Sequence, residues 1–149
     1  MSPGPGRPED FNTAETLKLL DEKGLPVFGV CLGLQAMIEY EGGKLDVLDY
    51  PMHGKTSQAV SGGGRLFRGI SEEFEVGRYH SLHANRETFP ACFEATAETR
   101  DGVVMAIEHK TKPWAAVQFH PESILTSPQA TGLPLLRNAL DALCPKNSD

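Results

Sequence analysis

Apolar positions along the chain fall into two textures. Near the start, Leu17 and Leu20 stand at helical spacing among polar residues, with Leu25 extending the same side, and this predicts a helix from Asn12 or Thr13 to about Lys23. Glu15 follows Asn12 at the spacing of a capping box, and Gly24 ends the helix. After Pro26 an apolar run at 27–31 predicts a buried strand, and helix formers from Leu34 to Glu39 predict a helix closed by Gly42-Gly43. This helix, strand, helix order is an α/β pattern. Shorter segments follow: 44–50 alternates weakly, 56–60 reads as a short strand, and 74–80, 93–99 and 103–108 read as further strands. Asp101-Gly102 joins the last two as a hairpin turn. Lys112-Pro113 turns the chain into an apolar strand at 114–119, and an amphipathic helix over 132–143 turns Leu133, Leu136, Ala139, Leu140 and Leu143 inward.

Length and composition narrow the function classes. No linker, repeat or low-complexity segment divides the 149 residues, so one domain is expected. Lys and Arg number 14 against 20 Asp and Glu, a net charge of −6 with the signs interspersed. That gives no electrostatic footprint for nucleic acid or an anionic membrane. No apolar run spans a bilayer, and Met1-Ser2-Pro3-Gly4-Pro5-Gly6 lacks the apolar stretch of a signal peptide, so a cytoplasmic location is expected. Three cysteines, Cys31, Cys92 and Cys144, without a C-x-x-C spacing indicate reduced thiols rather than disulfides or zinc. Gly62-Gly63-Gly64 reads as a turn, since no helix with Lys-Ser/Thr follows it as a phosphate loop requires. The Pro/Gly opening at 3–8 is a loop. Its residues alone fit a terminal tail, or a tight turn whose N–H groups face a ligand.

Two stretches carry chemistry. Gly29-Val30-Cys31-Leu32-Gly33 sits between the predicted strand at 27–31 and the helix after it, the order of a nucleophile elbow. A helix start beside Cys31 offers free N–H groups that lower a thiol pKa and hold an oxyanion. A small buried core residue between two glycines is the alternative reading. The second stretch is His120-Pro121-Glu122 at a strand end, where residues two apart in an extended segment share a side and Pro121 keeps its neighbours out of helical geometry. A carboxylate beside an imidazole fixes its tautomer and stabilises its protonated form. His53, His80, His83 and His109 stand at no metal-ligand spacing and read as surface or structural residues, and Trp114 reads as core.

Gly29-Val30-Cys31-Leu32-Gly33-Leu34-Gln35, Arg78-Tyr79-His80-Ser81-Leu82, Gln118-Phe119-His120-Pro121-Glu122-Ser123 and the opening Ser2-Pro3-Gly4-Pro5-Gly6 together resemble the class I, or triad, glutamine amidotransferases. The likeness runs in order across nearly the whole chain and is nearest to glutaminase domains serving anthranilate synthase and aminodeoxychorismate synthase. It implies a flavodoxin-like, three-layer α/β fold with a mixed sheet flanked by helices. Cys31 is then the nucleophile on the glutamine amide, His120 the proton carrier and Glu122 its orienting partner. The backbone N–H groups of Gly6 and Leu32 form the oxyanion hole, and Gly4, Pro5, Gly6, Gln35, Ser81 and Leu82 contact glutamine. The resemblance reverses the tail reading of the opening loop. It further implies a chorismate-binding synthase partner, fused or separate, that receives ammonia, with no metal in this domain and Mg²⁺ confined to the synthase.

Two departures from the family pattern stand out. Leu34 occupies a position where many relatives carry His, and together with Tyr50-Pro51-Met52-His53-Gly54-Lys55 it is more like the forms in which synthase and glutaminase share one polypeptide. Family members also place a strand, a helix and further strands before the Pro-Gly-Pro-Gly turn, and here Met1-Ser2 alone precedes it. Such a unit takes roughly 30 residues, so the 1–149 domain is expected to be amino-terminally incomplete, without the first strand-helix-strand portion. The alternatives that follow are a folate-pathway glutaminase of the aminodeoxychorismate type and a non-catalytic remnant that only binds a partner.

Overall fold

The computed structural model describes residues 1, 6–126 and 128–144. In chain order it contains α1 (Thr13–Glu22), β1 (Val27–Val30), α2 (Leu32–Tyr40), β2 (Leu45–Ser61), β3 (Glu73–Ala84), β4 (Phe93–Thr99), β5 (Val104–His109), β6 (Trp114–Val117) and α3 (Leu133–Leu143), with a 3-10 turn at Pro8–Phe11 and a π-helical turn at Pro128–Gly132. The six strands form one mixed sheet in the order β1-β6-β5-β4-β2-β3. Only β1 and β6 run parallel among the described strands, and all other pairings are antiparallel.

Helices cover both faces. Alternate residues of β6 divide between them: Ala115 and Val117 join Leu135, Ala139 and Leu143 of α3 in one core, while Trp114 and Ala116 join Leu17 of α1 and Leu34, Met37 and Ile38 of α2 in the other. Burial on both faces is why this strand is apolar throughout instead of alternating. Trp114 is fully buried and donates its indole N–H to the Leu25 carbonyl at 3.1 Å. β1 is an edge strand of the sheet. On its open side Met1 bonds in parallel-ladder fashion, its ammonium donating to Phe28 O at 2.7 Å and its carbonyl accepting from Val30 N at 3.1 Å.

Three sequence expectations need correction. Asn12 holds the N-cap position of α1 but makes no side-chain cap; it adopts a left-handed conformation (φ 51°, ψ 34°) as the residue that closes the preceding 3-10 turn. Thr13 instead ties that junction by donating to Pro8 O at 2.9 Å. The segments expected at 44–50 and 56–60 are one 17-residue strand, β2, whose ladder with β3 shifts register between Val47 and Met52. Pro51 lies in that shift and lacks an N–H for the ladder, so local sequence breaks where the long-range pairing does not. In α3, Leu133 and Leu140 are 59% and 67% exposed, and Leu135, absent from the expected inward face, is fully buried.

The strand-to-helix crossing at the end of β1 is a close approach of backbone to backbone. A Cβ at Gly29 would lie 2.8 Å from the Gly33 carbonyl carbon and 3.0 Å from Ala116 Cβ. Gly29→Ala therefore overpacks backbone against backbone. A loss of about 1–3 kcal/mol in unfolding free energy is expected, read from urea denaturation midpoints of the two proteins.

Candidate active site

The elbow is present in the backbone. Cys31 has φ 53° and ψ −97°, and with Asn12 it is one of two described non-glycine residues with positive φ. Strain of this kind costs on the order of 1–3 kcal/mol and persists only where surrounding bonds hold it. Here the Cys31 N–H donates to Val117 O at 2.8 Å, and the Cys31 carbonyl accepts from Leu34 N and Gln35 N, which opens α2. The sharp turn aims the side chain into a pocket of about 220 Å³ lined by Gly6, Cys31, Gln35, Tyr79, His80, Ser81 and Leu82. Gly6 reaches this wall with φ +104°, and a Cβ there would meet Asp10 Oδ2 at 2.6 Å. Of the residues expected to bind substrate, Gly6, Gln35, Ser81 and Leu82 therefore meet around the thiol. Gly4 and Pro5 lie outside the described residues.

The Cys31 thiol is pushed up to about 11. Burial is the largest cause and the Glu122 charge adds to it, against hydrogen bonds from the Leu32 amide and the Gln118 side chain. A neutral thiol therefore occupies the resting site at neutral pH.

His120 and Glu122 come together with Nδ1 and Oε1 2.7 Å apart, through a turn in which Ser123 N donates to His120 O at 3.1 Å and not through the extended segment expected. The imidazole is further positioned by backbone bonds, His120 N to Gly77 O at 3.1 Å and Thr126 Oγ1 to His120 O at 2.6 Å. Tyr79 packs edge-on against the His120 ring with centroids 5.1 Å apart, and its hydroxyl lies 3.3 Å from Ser123 Oγ. Because Tyr79 also lines the thiol pocket, it joins the two halves of the site. His120 Nε2 is buried without a hydrogen-bond partner. No hydrogen bond thus links it to Cys31; the sulfur's side-chain partner is Gln118 Nε2 at 3.5 Å.

Sequence reasoning quoted Gln118, Arg78 and His80 inside motifs but gave them no part in the site. Gln118 is fully buried, the one polar residue in the apolar stretch from Trp114 to Phe119, and it stands two positions before His120. A lone carboxamide in a strand buried on both faces is the signal that marks it, since such a group stays inside only with its hydrogen bonds made. Arg78, also buried, donates from Nε to His80 Nε2 at 2.9 Å, and His80 Nδ1 in turn lies 2.8 Å from the Leu82 carbonyl. That carbonyl only accepts, so Nδ1 carries the proton and His80 is neutral.

One further cluster has metal-ligand chemistry: Glu41, Cys92 and His109 bring one ligand atom each within 4.8 Å of the others. Its hydrogen bonds do not fit an ion. His109 Nδ1 accepts from Thr111 N at 3.1 Å and Lys112 N at 3.0 Å, which leaves the ring proton on Nε2, the atom facing Glu41. Lys112 Nζ already neutralises Glu41 at 2.7 Å and Asp21 at 2.8 Å while lying over the Trp114 ring. This is a structural ion-pair cluster that fastens α1 and α2 to the start of β6.

Burial lowers the His80 pKa from 6.5 to about 4, with the Arg78, His83 and His120 charges adding to the effect and the Leu82 bond opposing it. Below pH 6.5 the unfolded chain binds a proton that folded His80 refuses until about pH 4. Its contribution is therefore complete above 6.5 and is lost as pH falls across that window. The loss is on the order of 3 kcal/mol. Urea unfolding at a series of pH values should show this decline, and His80→Gln should flatten it.

Among known proteins, the family described as "Glutamine amidotransferase class-I" matches residues 1–139. The chain is 57% identical over 143 residues to "Anthranilate synthase" of Azospirillum brasilense, covering 96% of this chain and 20% of that protein. It is 42% identical to "Aminodeoxychorismate/anthranilate synthase component 2" of Bacillus subtilis, covering 95% of this chain and 71% of that one. A solved glutamine amidotransferase of Thermotoga maritima superimposes with a TM-score of 0.75 at 14% identity, over 95% of this chain and 74% of its own, and shares the fold. With its thiol elbow in a six-stranded α/β sheet of that architecture, the chain belongs to the class I glutamine amidotransferases.

Proposed function

We propose that this domain hydrolyses L-glutamine to glutamate and ammonia and delivers the ammonia to a synthase that aminates chorismate, in the first instance an anthranilate synthase of tryptophan biosynthesis. The observation that carries the reading is the strained Cys31 turn, facing a pocket whose walls also hold Gly6, Gln35, Ser81 and Leu82, with the His120–Glu122 pair behind Tyr79. The relative from Azospirillum brasilense carries the anthranilate synthase name, and this chain spans a fifth of its length. The synthase reaction and its substrates are therefore read from the relatives' names. The Bacillus subtilis relative bears both synthase names, so the folate-type glutaminase is the neighbouring assignment.

In this mechanism the Cys31 sulfur attacks the side-chain amide carbon of glutamine while its proton passes to His120 Nε2, the nitrogen that lacks a partner at rest. Glu122 holds the Nδ1 proton and stabilises the imidazolium. Negative charge on the amide oxygen falls to the N–H groups of Leu32 and Gly6. Collapse expels ammonia with the proton from His120, leaving a glutamyl thioester. Water, deprotonated by the same imidazole, then attacks the thioester and restores the thiol, so glutamine and water give glutamate and ammonia. These steps use no metal; Mg²⁺ belongs to the synthase. Free Cys31, Cys92 and Cys144 suit a reducing cytoplasm, and among the described residues no helix is long and apolar enough to cross a membrane.

His120 Nε2 has no partner in this geometry, and in the proposed mechanism its bond to the Cys31 sulfur forms with substrate in place. Mixed with a chorismate-aminating synthase, the chain should release ammonia from glutamine, and Cys31→Ala should abolish that release. Glu122→Gln should lower kcat by about 10²- to 10⁴-fold with KM little changed. Ammonia release that is equal in wild type and Cys31→Ala would exclude the mechanism.

A further inference from the structure

The polar groups beneath Cys31 form a hydrogen-bonded chain with a fixed direction. Gln35 Nε2 lies 3.2 Å from Leu82 O and 3.4 Å from Gln118 Oε1, and Gln118 Nε2 lies 3.5 Å from Cys31 Sγ. All the members are buried, Gln118 completely and Gln35 with 3% exposure. The Leu82 carbonyl is an acceptor only, so the amide face of Gln35 turned toward it must be the NH₂ group. That same NH₂ faces Gln118, whose near atom must then be its oxygen. The carboxamide of Gln118 is left with its NH₂ pointing at sulfur. Neutral His80, donating to the same carbonyl and held by Arg78, fixes the far end.

We propose that Gln118 is a positioning residue for the nucleophile: oriented by Gln35 and the Leu82 carbonyl, it gives the Cys31 sulfur a buried donor that strengthens as the sulfur becomes anionic. The inference builds on the proposed glutaminase reading but concerns thiol ionisation, which is measured without glutamine. A neutral thiol accepts weakly, and a thiolate accepts a charge-assisted bond. The donor therefore favours the ionised form, together with the Leu32 amide and against burial and the Glu122 charge, the other influences on this sulfur. It also holds the side chain at the floor of the pocket, on the strand that carries His120 two residues later. Gln35 spends both amide hydrogens inside this chain, which leaves its oxygen for the pocket.

The test is the pH dependence of Cys31 alkylation by iodoacetamide in the full 149-residue chain, with Cys92 and Cys144 changed to Ser so that one thiol is read. Gln118→Met keeps the volume and removes the donor. It should lower the alkylation rate at pH 8 about tenfold, a shift of about one pKa unit. Gln35→Met, which frees Gln118 to rotate, should shift it the same way by less, and the double variant should add little to Gln118→Met. Far-ultraviolet circular dichroism and a thermal melt establish that each variant is folded. If Gln118→Met does not fold, the Gln35→Met shift decides alone. Unchanged rates in the folded variants would overturn the inference, whether or not the wild type hydrolyses glutamine. A rate drop in a chain with no glutaminase activity would uphold it while removing the proposed function.

Discussion

The backbone of Cys31 is the constraint on which the rest of this structure turns. A residue with a side chain sits at φ 53°, ψ −97°, where the cost falls on its neighbours. They meet it by close approach: Gly29 lies against Gly33, β6 accepts the Cys31 N–H through Val117, and α2 begins on the Cys31 carbonyl. None of these contacts survives if β1 slides along β6, because Val30 opposite Val117 sets the register from which the turn departs. The parallel β1–β6 pair is thus the mould of the site. The cores on its two faces stabilise the chemistry as much as the fold.

The same pair explains why the Cys31 thiol and the His120 imidazole share one end of the sheet. β1 and β6 run in the same direction, so residues just past their carboxyl ends emerge side by side. Cys31 follows β1 directly; His120 follows β6 by three residues, pinned to β3 through Gly77. The antiparallel β2–β3 ribbon then brings Tyr79, Ser81 and Leu82 over that end and closes the pocket. The parallel pair places the thiol and the imidazole, and the long ribbon builds the facing wall of the pocket.

How much of this was legible in the sequence depends on whether the cause was local. The elbow was legible because an apolar run, two glycines and helix formers in that order determine it within nine residues. The His120–Glu122 contact was legible in the two-residue spacing, but the chain makes it through a turn at Pro121-Glu122, closed by Ser123 N donating to His120 O, and not in an extended segment. Asn12 is the N-cap as its place in the sequence suggests, but its side-chain cap is not made because it also closes a 3-10 turn, and a polar residue at that spacing fits a cap or a left-handed turn end equally well. The unity of β2 was hidden because Pro51 breaks the strand locally while β3 pairs across the break. In α3 the apolar residues outnumber the buried positions, so periodicity alone did not choose Leu135 over Leu133 and Leu140. Gln118 carried a signal, but its partner Gln35 comes from a distant helix, and only the folded chain shows that a carbonyl on β3 orders both amides.

That ordering has a consequence for how a buried thiol becomes useful. Burial alone raises the Cys31 pKa and favours the neutral form. A formal positive charge beside the sulfur would lower it steadily and expose a reactive thiolate to any electrophile. The site instead places neutral donors there, the Leu32 amide and the Gln118 carboxamide, with neutral His80 on the pocket wall and Arg78 bonded to it. Such donors gain most when charge appears on sulfur and little before it does. The His120 imidazole is held by Glu122, and its Nε2 is buried without a hydrogen-bond partner. The arrangement favours the neutral thiol at rest and sets its donors where an ionised sulfur would use them.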